Sequence, residues 1–390
     1  MIIGFIMEPK PDFRRVMPEG LVPVTEIGLR ALSEIYDDRD IYLSIYMKSS
    51  SAAELDASRS FIASRFRAMD KSLPAALRQS FRSTISLVEE SLASMPRKGE
   101  RSRVIFAGEP LSFLHVYRLG LEIELLAVLD SSPFLLPLAR LRDDYEDYGL
   151  LLLDSQEGRL FTIRSRLLEE RGQSSIDLMS KHKKGGWSQM RYNRLRMGAI
   201  KSFLAEVVED LLSLEELEKM RGLVIAGPGN AKIQLMEMLP PQIKEQVLGL
   251  LDVSMGAAHA DLVEMSDRLA LERERSSGLE RAAELRSAVL KGQLYASGTD
   301  QVRDAIQQGR VKSLLLLDGF VIPGWICESC QHFQEGSQPE SCPRCNGRTS
   351  RVNILEELYE LAQRTGAEVE FVEEDEFLRS LGGVGAILRY

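Results

Sequence analysis

The sequence predicts a multidomain fold of mixed α/β and α+β class, with three domains and a four-cysteine zinc element inserted in the C-terminal α/β domain. Three observations carry that expectation. Apolar runs of strand length alternate with stretches of helical period, which is the pattern of layered α/β structure. The 390 residues, 44% of them hydrophobic, suffice for two or three separate cores. All four cysteines fall between Cys327 and Cys345 as two close pairs. The expected domains are 1–132, 133–215 and 216–390, with a zinc ribbon at 323–351.

In the first domain, "RDIYLSIYMK" (39–48) alternates and carries Ile and Tyr, so it reads as a strand. "SAAELDASRSFIASRFRAM" (51–69) sets Ser51 and Glu54 at capping-box spacing and continues with helical period. A second helix is expected over 74–95, with Pro74 in its first turn. "SRVIFAG" (102–108) and "EIELLAVLD" (122–130) read as strands, and the polar run 94–103 as a connecting loop.

In the second domain, "DYGLLLLDSQEGRLFTI" (147–163) reads as two strands around a turn containing Gly158. A basic loop follows, then a long helix over 190–212. In the third, "RGLVIAGPGN" (221–230) is a buried-strand run ending in a turn, and 246–256 is a second apolar run. A charged helix is expected over 262–290, weakened by Gly278. Residues 300–322 and 353–372 each read as helix followed by strand.

A formal net charge of −9 argues against a protein that coats nucleic acid, so any polyanion contact must be local. The short apolar run at the N-terminus lacks the length of a signal-peptide core, and no run of about 18 apolar residues occurs. The expectation is a soluble cytoplasmic protein without a membrane partner.

The cysteines form CxxC, eleven residues, then CxxC: Cys327, Cys330, Cys342 and Cys345. Each pair presents two thiolates from a tight turn, and four complete a tetrahedral structural Zn²⁺ shell. A redox dithiol or four reduced thiols are the alternatives; two pairs in one short polar hairpin favour metal. A shell of four thiolates has no open position, so its role is stability. His332 is read as a bystander.

The stretch "HKKGGWSQMRYNRLR" (182–196) is the candidate functional site. No acid occurs from 178 to 205, while Lys181, His182, Lys183, Lys184, Arg191, Arg194 and Arg196 do. Gly185 and Gly186 permit close approach to the main chain. Trp187 can stack on a base, the cations attract phosphates, and a following helix N-terminus adds positive potential. A solvated basic helix start is the bland alternative. "AGPGN" (226–230) lacks the Lys-Ser/Thr ending of a phosphate loop and reads as a turn. Asp143, Asp144 and Glu146 read as a solvated helix end.

This loop resembles the catalytic loop of the archaeal–eukaryotic class 1 peptide release factors: a basic run, Gly-Gly-Gln, a Ser, then a helix with Arg-Phe-x-Arg-Leu-Arg. "GLLLLDSQEGRLFTI", residues 221–269 and residues 295–320 also resemble segments of that family, so the likeness spans roughly 133–390 in order. Two departures matter. Trp187 stands where the family has Gln, and Gln189 comes two residues later, as in divergent relatives that work in ribosome rescue. The first third has no Asn-Ile-Lys-Ser stretch.

The resemblance implies a loop that meets peptidyl-tRNA at the rRNA of the peptidyl-transferase centre and hydrolyses its ester. Gly185, Gly186 and Gln189 would be catalytic. Lys181, His182, Lys183, Lys184, Trp187, Arg191, Arg194 and Arg196 would bind RNA. It also implies a translational GTPase as a partner of the C-terminal domain. A non-catalytic ribosome-binding surveillance factor is the alternative.

Overall fold

The computed structural model describes residues 14–37, 41–109, 112–175, 187–213, 217–327 and 329–390. They divide into two compact units, Met1–Asp143 with Arg275–Tyr390, and Asp144–Glu274.

The first unit opens with β1 (Arg15–Val16), α1 (Leu29–Ser33), β2 (Tyr42–Lys48), α2 (Ala52–Ser72), α3 (Ala75–Ala93), β3 (Ser102–Gly108), β4 (Phe113–Leu119), β5 (Leu126–Asp130) and α4 (Leu136–Asp144). Its sheet runs in the order β1-β4-β3-β2-β5. Leu43, Ile45 and Met47 of β2 and Ile105 and Ala107 of β3 meet Leu55, Ile62, Phe66, Phe81 and Val88 of the two helices. Ser51 caps α2 by accepting the Glu54 N–H at 3.3 Å. The Glu54 carboxylate takes the Ser50 hydroxyl. Pro74 stands as the N-cap of α3, one position before the first turn expected for it.

Strand β4 is absent from the sequence reading because FLHVYRL places His115 and Arg118 in its middle. Both are buried. His115 Nδ1 lies 2.9 Å from the Tyr117 hydroxyl, and Arg118 pairs with Glu100 at 3.5 Å. The 94–103 loop is anchored rather than free: buried Glu100 accepts from Arg103 Nη2 at 2.7 Å and Ser49 Oγ at 2.8 Å.

The alternating pattern of β2 suggests one wet face, yet Tyr42 to Met47 are all buried. The second face is covered by the segment leading into α4. Phe134 N–H donates to Ser44 Oγ at 2.9 Å, and the Tyr46 hydroxyl donates to the Phe134 carbonyl.

The second unit contains β6 (Tyr148–Leu153), β7 (Glu157–Arg164), β8 (Leu167–Ser175), α5 (Trp187–Ser213), β9 (Leu223–Ala226), α6 (Ala231–Met238), α7 (Pro241–Glu245), β10 (Val247–Leu251) and the start of α8 (His259–Lys291). The sheet order is β10-β9-β6-β7-β8. Strands β10, β9 and β6 are parallel, while β6–β7 and β7–β8 are antiparallel. One face packs on α5 and α6, the other on α8, so β6 and β9 are buried on both sides and read as continuous apolar runs. Two expectations are corrected here. Gly158 lies inside β7, opposite Leu153, and the turn is made at Asp154, whose carboxylate accepts from the N–H groups of Gln156 and Glu157 at 2.7 and 2.8 Å. The runs at 221–230 and 246–256, expected to open the C-terminal domain, join this middle sheet, because β9 pairs in parallel with β6 through Leu150↔Val224.

The first unit resumes with β11 (Tyr295–Ser297), α9 (Gly298–Gln307), β12 (Val311–Leu317), β13 (Pro323–Cys327), β14 (Phe333–Glu335), β15 (Thr349–Asn353), α10 (Ile354–Thr365), β16 (Glu368–Val372), α11 (Glu376–Ser380) and β17 (Val384–Leu388). A sheet β11-β17-β12-β16 carries Ala282 and Leu285 of α8 and Leu378 of α11 on one face. A separate sheet β14-β13-β15 forms the cysteine element. Gly278 does not interrupt α8: a side chain there would come no closer than 3.6 Å to Phe371 O.

Helix α10 also holds the segment before α4. The Glu356 carboxylate accepts the N–H of Leu135 at 2.7 Å and of Leu136 at 3.2 Å, capping α4 from across the chain. Glu360 accepts from Ser132 Oγ at 3.0 Å and from Arg364 Nη2 at 2.8 Å. Arg364 Nε donates to Ser33 O at 3.1 Å. Asp143 Oδ2, expected at a solvated helix end, instead accepts the Phe371 N–H at 2.9 Å.

Burial pushes the Glu360 carboxyl up to about 7 against the pull of Arg364, and burial followed by the charge of Glu360 raises Glu356. A carboxyl raised in the folded state stabilises fully below its unfolded value of about 4.3, and the contribution is lost as pH rises through the folded value. Glu360→Gln removes this titration. Its melting temperature relative to the parent is therefore expected to climb from about pH 5 to pH 8, checked by thermal melts across that range.

Candidate functional site

Two clusters answer to the sequence expectations, and each is described within its own unit. The first is the basic tip. Lys181, His182, Lys183, Lys184, Gly185 and Gly186 lie outside the described residues. Helix α5 begins at Trp187, so the backbone places Gln189 in its first turn and Arg191 at the end of that turn. The side chains of Trp187, Gln189 and Arg191 lie outside the described set.

Beyond these residues the helix divides in two. Arg194 and Leu195 are exposed, Arg196 is half-buried, and nothing from 194 to 199 is buried. From Ile200 onward, Ile200, Phe203, Leu204, Val207, Val208 and Leu211 recur at helical spacing and are buried against Leu151, Leu153 and Ile225 of the sheet. One end is thus fixed in the core, while the described part nearest the glycines makes no core contact. The first turn of α5 contains no acid, so its unpaired N–H groups keep their positive potential.

In the "AGPGN" turn the carbonyls are held by the chain's own lysine. Lys232 Nζ donates to the carbonyls of Gly227 and Gly229, each at 2.9 Å, and to Asp252 at 2.5 Å. Gly227 has φ +147°, and a Cβ there would stand 1.8 Å from the Leu153 carbonyl oxygen. The glycine serves the β6–β9 approach rather than a phosphate.

The second cluster is the cysteine element, built from two knuckles of the same design. In the first, Gln331 N–H donates to Cys327 O at 2.9 Å, and Cys327 N–H donates to His332 O at 2.8 Å. In the second, Asn346 N–H donates to Cys342 O at 2.9 Å, and Cys342 N–H donates to Gly347 O at 2.9 Å. Gln331 and Asn346 follow the second cysteine of each pair and take left-handed φ values of 55° and 60°. Sequence reasoning missed both, since neither is glycine; their place immediately after CxxC was the available signal. Space decides Gly347: a Cβ would lie 2.5 Å from Ser329 Oγ and 3.1 Å from Cys327 Sγ.

All four sulfurs lie within 4.8 Å of one another, with Cys327–Cys345 at 3.3 Å and Cys330–Cys342 at 3.8 Å. Sulfurs tetrahedrally placed about 2.3 Å from a zinc ion stand ~3.8 Å apart, so the set fits such an ion. Burial opposes the Cys342 thiolate, yet backbone N–H groups of Arg344 and Cys345 and the neighbouring thiols bring it down to about 7, while burial pushes Cys330 up to about 12. His332 packs edge-on against Trp325, centroids 5.6 Å apart, as a bystander would. Among the described residues, no helix is long and apolar enough to cross a membrane.

Comparison with known proteins finds one family across both clusters. The family described as bacterial archaeo-eukaryotic release factor family 10 matches residues 133–270, and eRF1 domain 3 matches residues 282–390. Peptide chain release factor subunit 1 of Archaeoglobus fulgidus is 31% identical over 285 residues, covering 67% of this chain and 70% of the relative. The Thermococcus sibiricus protein of the same name is 27% identical over 284 residues, covering 65% and 68%. Among solved structures, an archaeal translation termination factor aligns over 95% of this chain and 99% of its own at 18% identity and TM-score 0.28. The chain is a divergent member of the archaeal–eukaryotic class 1 peptide release factor family.

Proposed function

We propose that this protein is a peptidyl-tRNA ester hydrolase acting on ribosomes, in the rescue of stalled complexes rather than in stop-codon reading. The observation that carries the reading is the order of parts at the tip. A Gly-Gly pair stands directly before an acid-free helix N-terminus whose first turn holds Gln189, on a helix whose described side chains are buried in the core from Ile200 onward. Ester hydrolysis at such a tip needs a placed water and a donor for the developing oxyanion. The Gln189 amide has both an acceptor oxygen and N–H donors. Lys181, His182, Lys183, Lys184, Trp187, Arg191, Arg194 and Arg196 would hold the tRNA end and the surrounding rRNA. Cys327, Cys330, Cys342 and Cys345 would hold a structural Zn²⁺, which fixes the ribbon and takes no part in the reaction. A translational GTPase acting on the C-terminal part belongs to the same proposal.

Trp187 directly after Gly186 favours a second reading, a non-catalytic ribosome-binding surveillance factor. One assay separates them: ribosomes carrying labelled peptidyl-tRNA are mixed with the protein, with either an empty A site or a stop codon there. Hydrolase activity in rescue predicts peptide release in both cases at similar rates. Binding without release supports the surveillance reading, and release only at stop codons contradicts rescue.

A further inference from the structure

Helix α5 carries a glycine that neither conformation nor packing among the described residues explains. Gly198 lies in the interior of Trp187–Ser213 and is exposed. A glycine in a helix interior destabilises relative to alanine. Its backbone is helical, so no left-handed φ requires it. Packing does not require it either. A Cβ there would meet no atom within 4 Å, whereas at Gly278 of α8 it would meet Phe371 O at 3.6 Å.

The surroundings of Gly198 are one-sided. At about 100° per residue, Arg191, Arg194, Gly198, Lys201 and Ser202 share a sector of roughly 100° around the helix. The buried Ile200, Phe203, Leu204 and Val207 lie on the opposite side. Arg194, Gly198, Lys201 and Ser202 are all exposed. Among the described residues, neither Arg194 nor Lys201 is ion-paired. The helix contributes no acid before Glu206. Arg194 and Lys201 stand about 10 Å apart along the axis, with Gly198 between them. The face is thus cationic, with bare backbone between two long side chains.

We infer that this face of α5 seats an RNA sugar–phosphate strand, which lies against the backbone at Gly198 between Arg194 and Lys201. The missing Cβ lets the strand approach the helix closely. The two cations pair with phosphates on either side, and contact releases counterions condensed there. Ser202 offers a hydroxyl to a phosphate or ribose oxygen. The inference rests on the ribosome-bound reading above and adds to it a strand seat about 13 Å along the helix from Gln189.

The test measures binding of the full chain to protein-free large-subunit ribosomal RNA, to deacylated tRNA and to intact ribosomes over a range of salt. Gly198→Ala and Gly198→Leu are compared with the parent, because both replacements favour helix over glycine. Gly198→Leu is expected to weaken RNA binding about tenfold, and Gly198→Ala less, as a filled contact does. Both should melt at or above the parent's temperature. Lys201→Gln should make the slope of log K against log salt shallower by about 0.7–0.9, while Lys201→Arg keeps it. Weakening with ribosomal RNA or with tRNA supports the inference and identifies the strand. Unchanged RNA affinity in Gly198→Leu overturns it, as does an unchanged slope in Lys201→Gln. Weakened ribosome binding with both RNAs unaffected means a protein partner and also overturns it. A lower melting temperature in both Gly198 variants assigns the glycine to folding and overturns it too. None of these measurements needs peptide release. A chain that binds as expected but releases nothing refutes the hydrolase reading alone, and release with unchanged affinities in Gly198→Leu refutes the seat alone.

Discussion

Gln189→Ala is expected to lower the rate of peptide release from stalled ribosomal complexes by about 10²–10³-fold, the loss that follows removal of one oxyanion donor. Binding to the same complexes should change by less than about threefold, because the cations and Trp187 remain. The physical case lies in the helix. Gln189 belongs to the first turn of α5, where the N–H groups have no partners within the helix and no acid offsets their potential. An amide in a helix's first turn stands beside the positive end of the helix dipole. Two companion variants sharpen the reading. Trp187→Gln restores the family's residue after Gly-Gly and should support release when combined with Gln189→Ala if the site tolerates either position. Gly186→Val should abolish release by blocking approach of the ester. Release is read from labelled peptide freed from tRNA, and binding from sedimentation with ribosomes. Undiminished release by Gln189→Ala ends the assignment of that side chain.

Cys342→Ser is expected to cost the protein a bound zinc ion and the order of β13–β15. Loss of groups that merely support a ligand already weakens metal affinity by about 10–100-fold, and loss of a ligand itself exceeds that. Cys342 is the buried member of its pair and the thiol that backbone N–H groups bring down to about 7. Two of the three residues of the ribbon's own apolar cluster, Trp325, Cys327 and Cys342, are cysteines of this set. The measurements are zinc stoichiometry after dialysis and hydrogen exchange of residues 323–353. One equivalent of zinc is expected in the parent protein and none in the variant. Exchange should quicken across the ribbon while β6–β7 of the other unit stays protected. A parent protein that purifies without zinc, with an ordered ribbon, removes the metal from the account.

Much of this was legible in the residues because the local signals were strong. SRVIFAG is β3 to the residue, and Ser51 caps its helix as its spacing suggested. CxxC…CxxC brought its four sulfurs together, since two knuckles on one hairpin leave them little freedom. What stayed hidden depends on partners far away in the chain. His115 and Arg118 disguise β4 because their partners, Tyr117 and Glu100, are not visible in a hydrophobic pattern. The placement of β9 and β10 beside β6 is a long-range pairing that no window of sequence contains. The capping of α4 by Glu356 joins residues 221 positions apart. The tip shows the opposite case: its residues suggest a chemistry by resemblance, while residues 176–186 lie outside the described set.

The first unit is assembled from two stretches, Met1–Asp143 and Arg275–Tyr390, with the second unit inserted between them. During synthesis the intervening unit has all its strands available before the first is complete. At about 5–20 residues per second, the early stretch waits on the order of tens of seconds for Glu356, Glu360 and Arg364 to emerge. Until then the amides of Leu135 and Leu136 lack the carboxylate that caps them. A nascent chain arrested between 275 and 354 would therefore leave Ser132, Leu135 and Leu136 without their partners, which makes the late-made helix α10 the step that fastens an early-made segment.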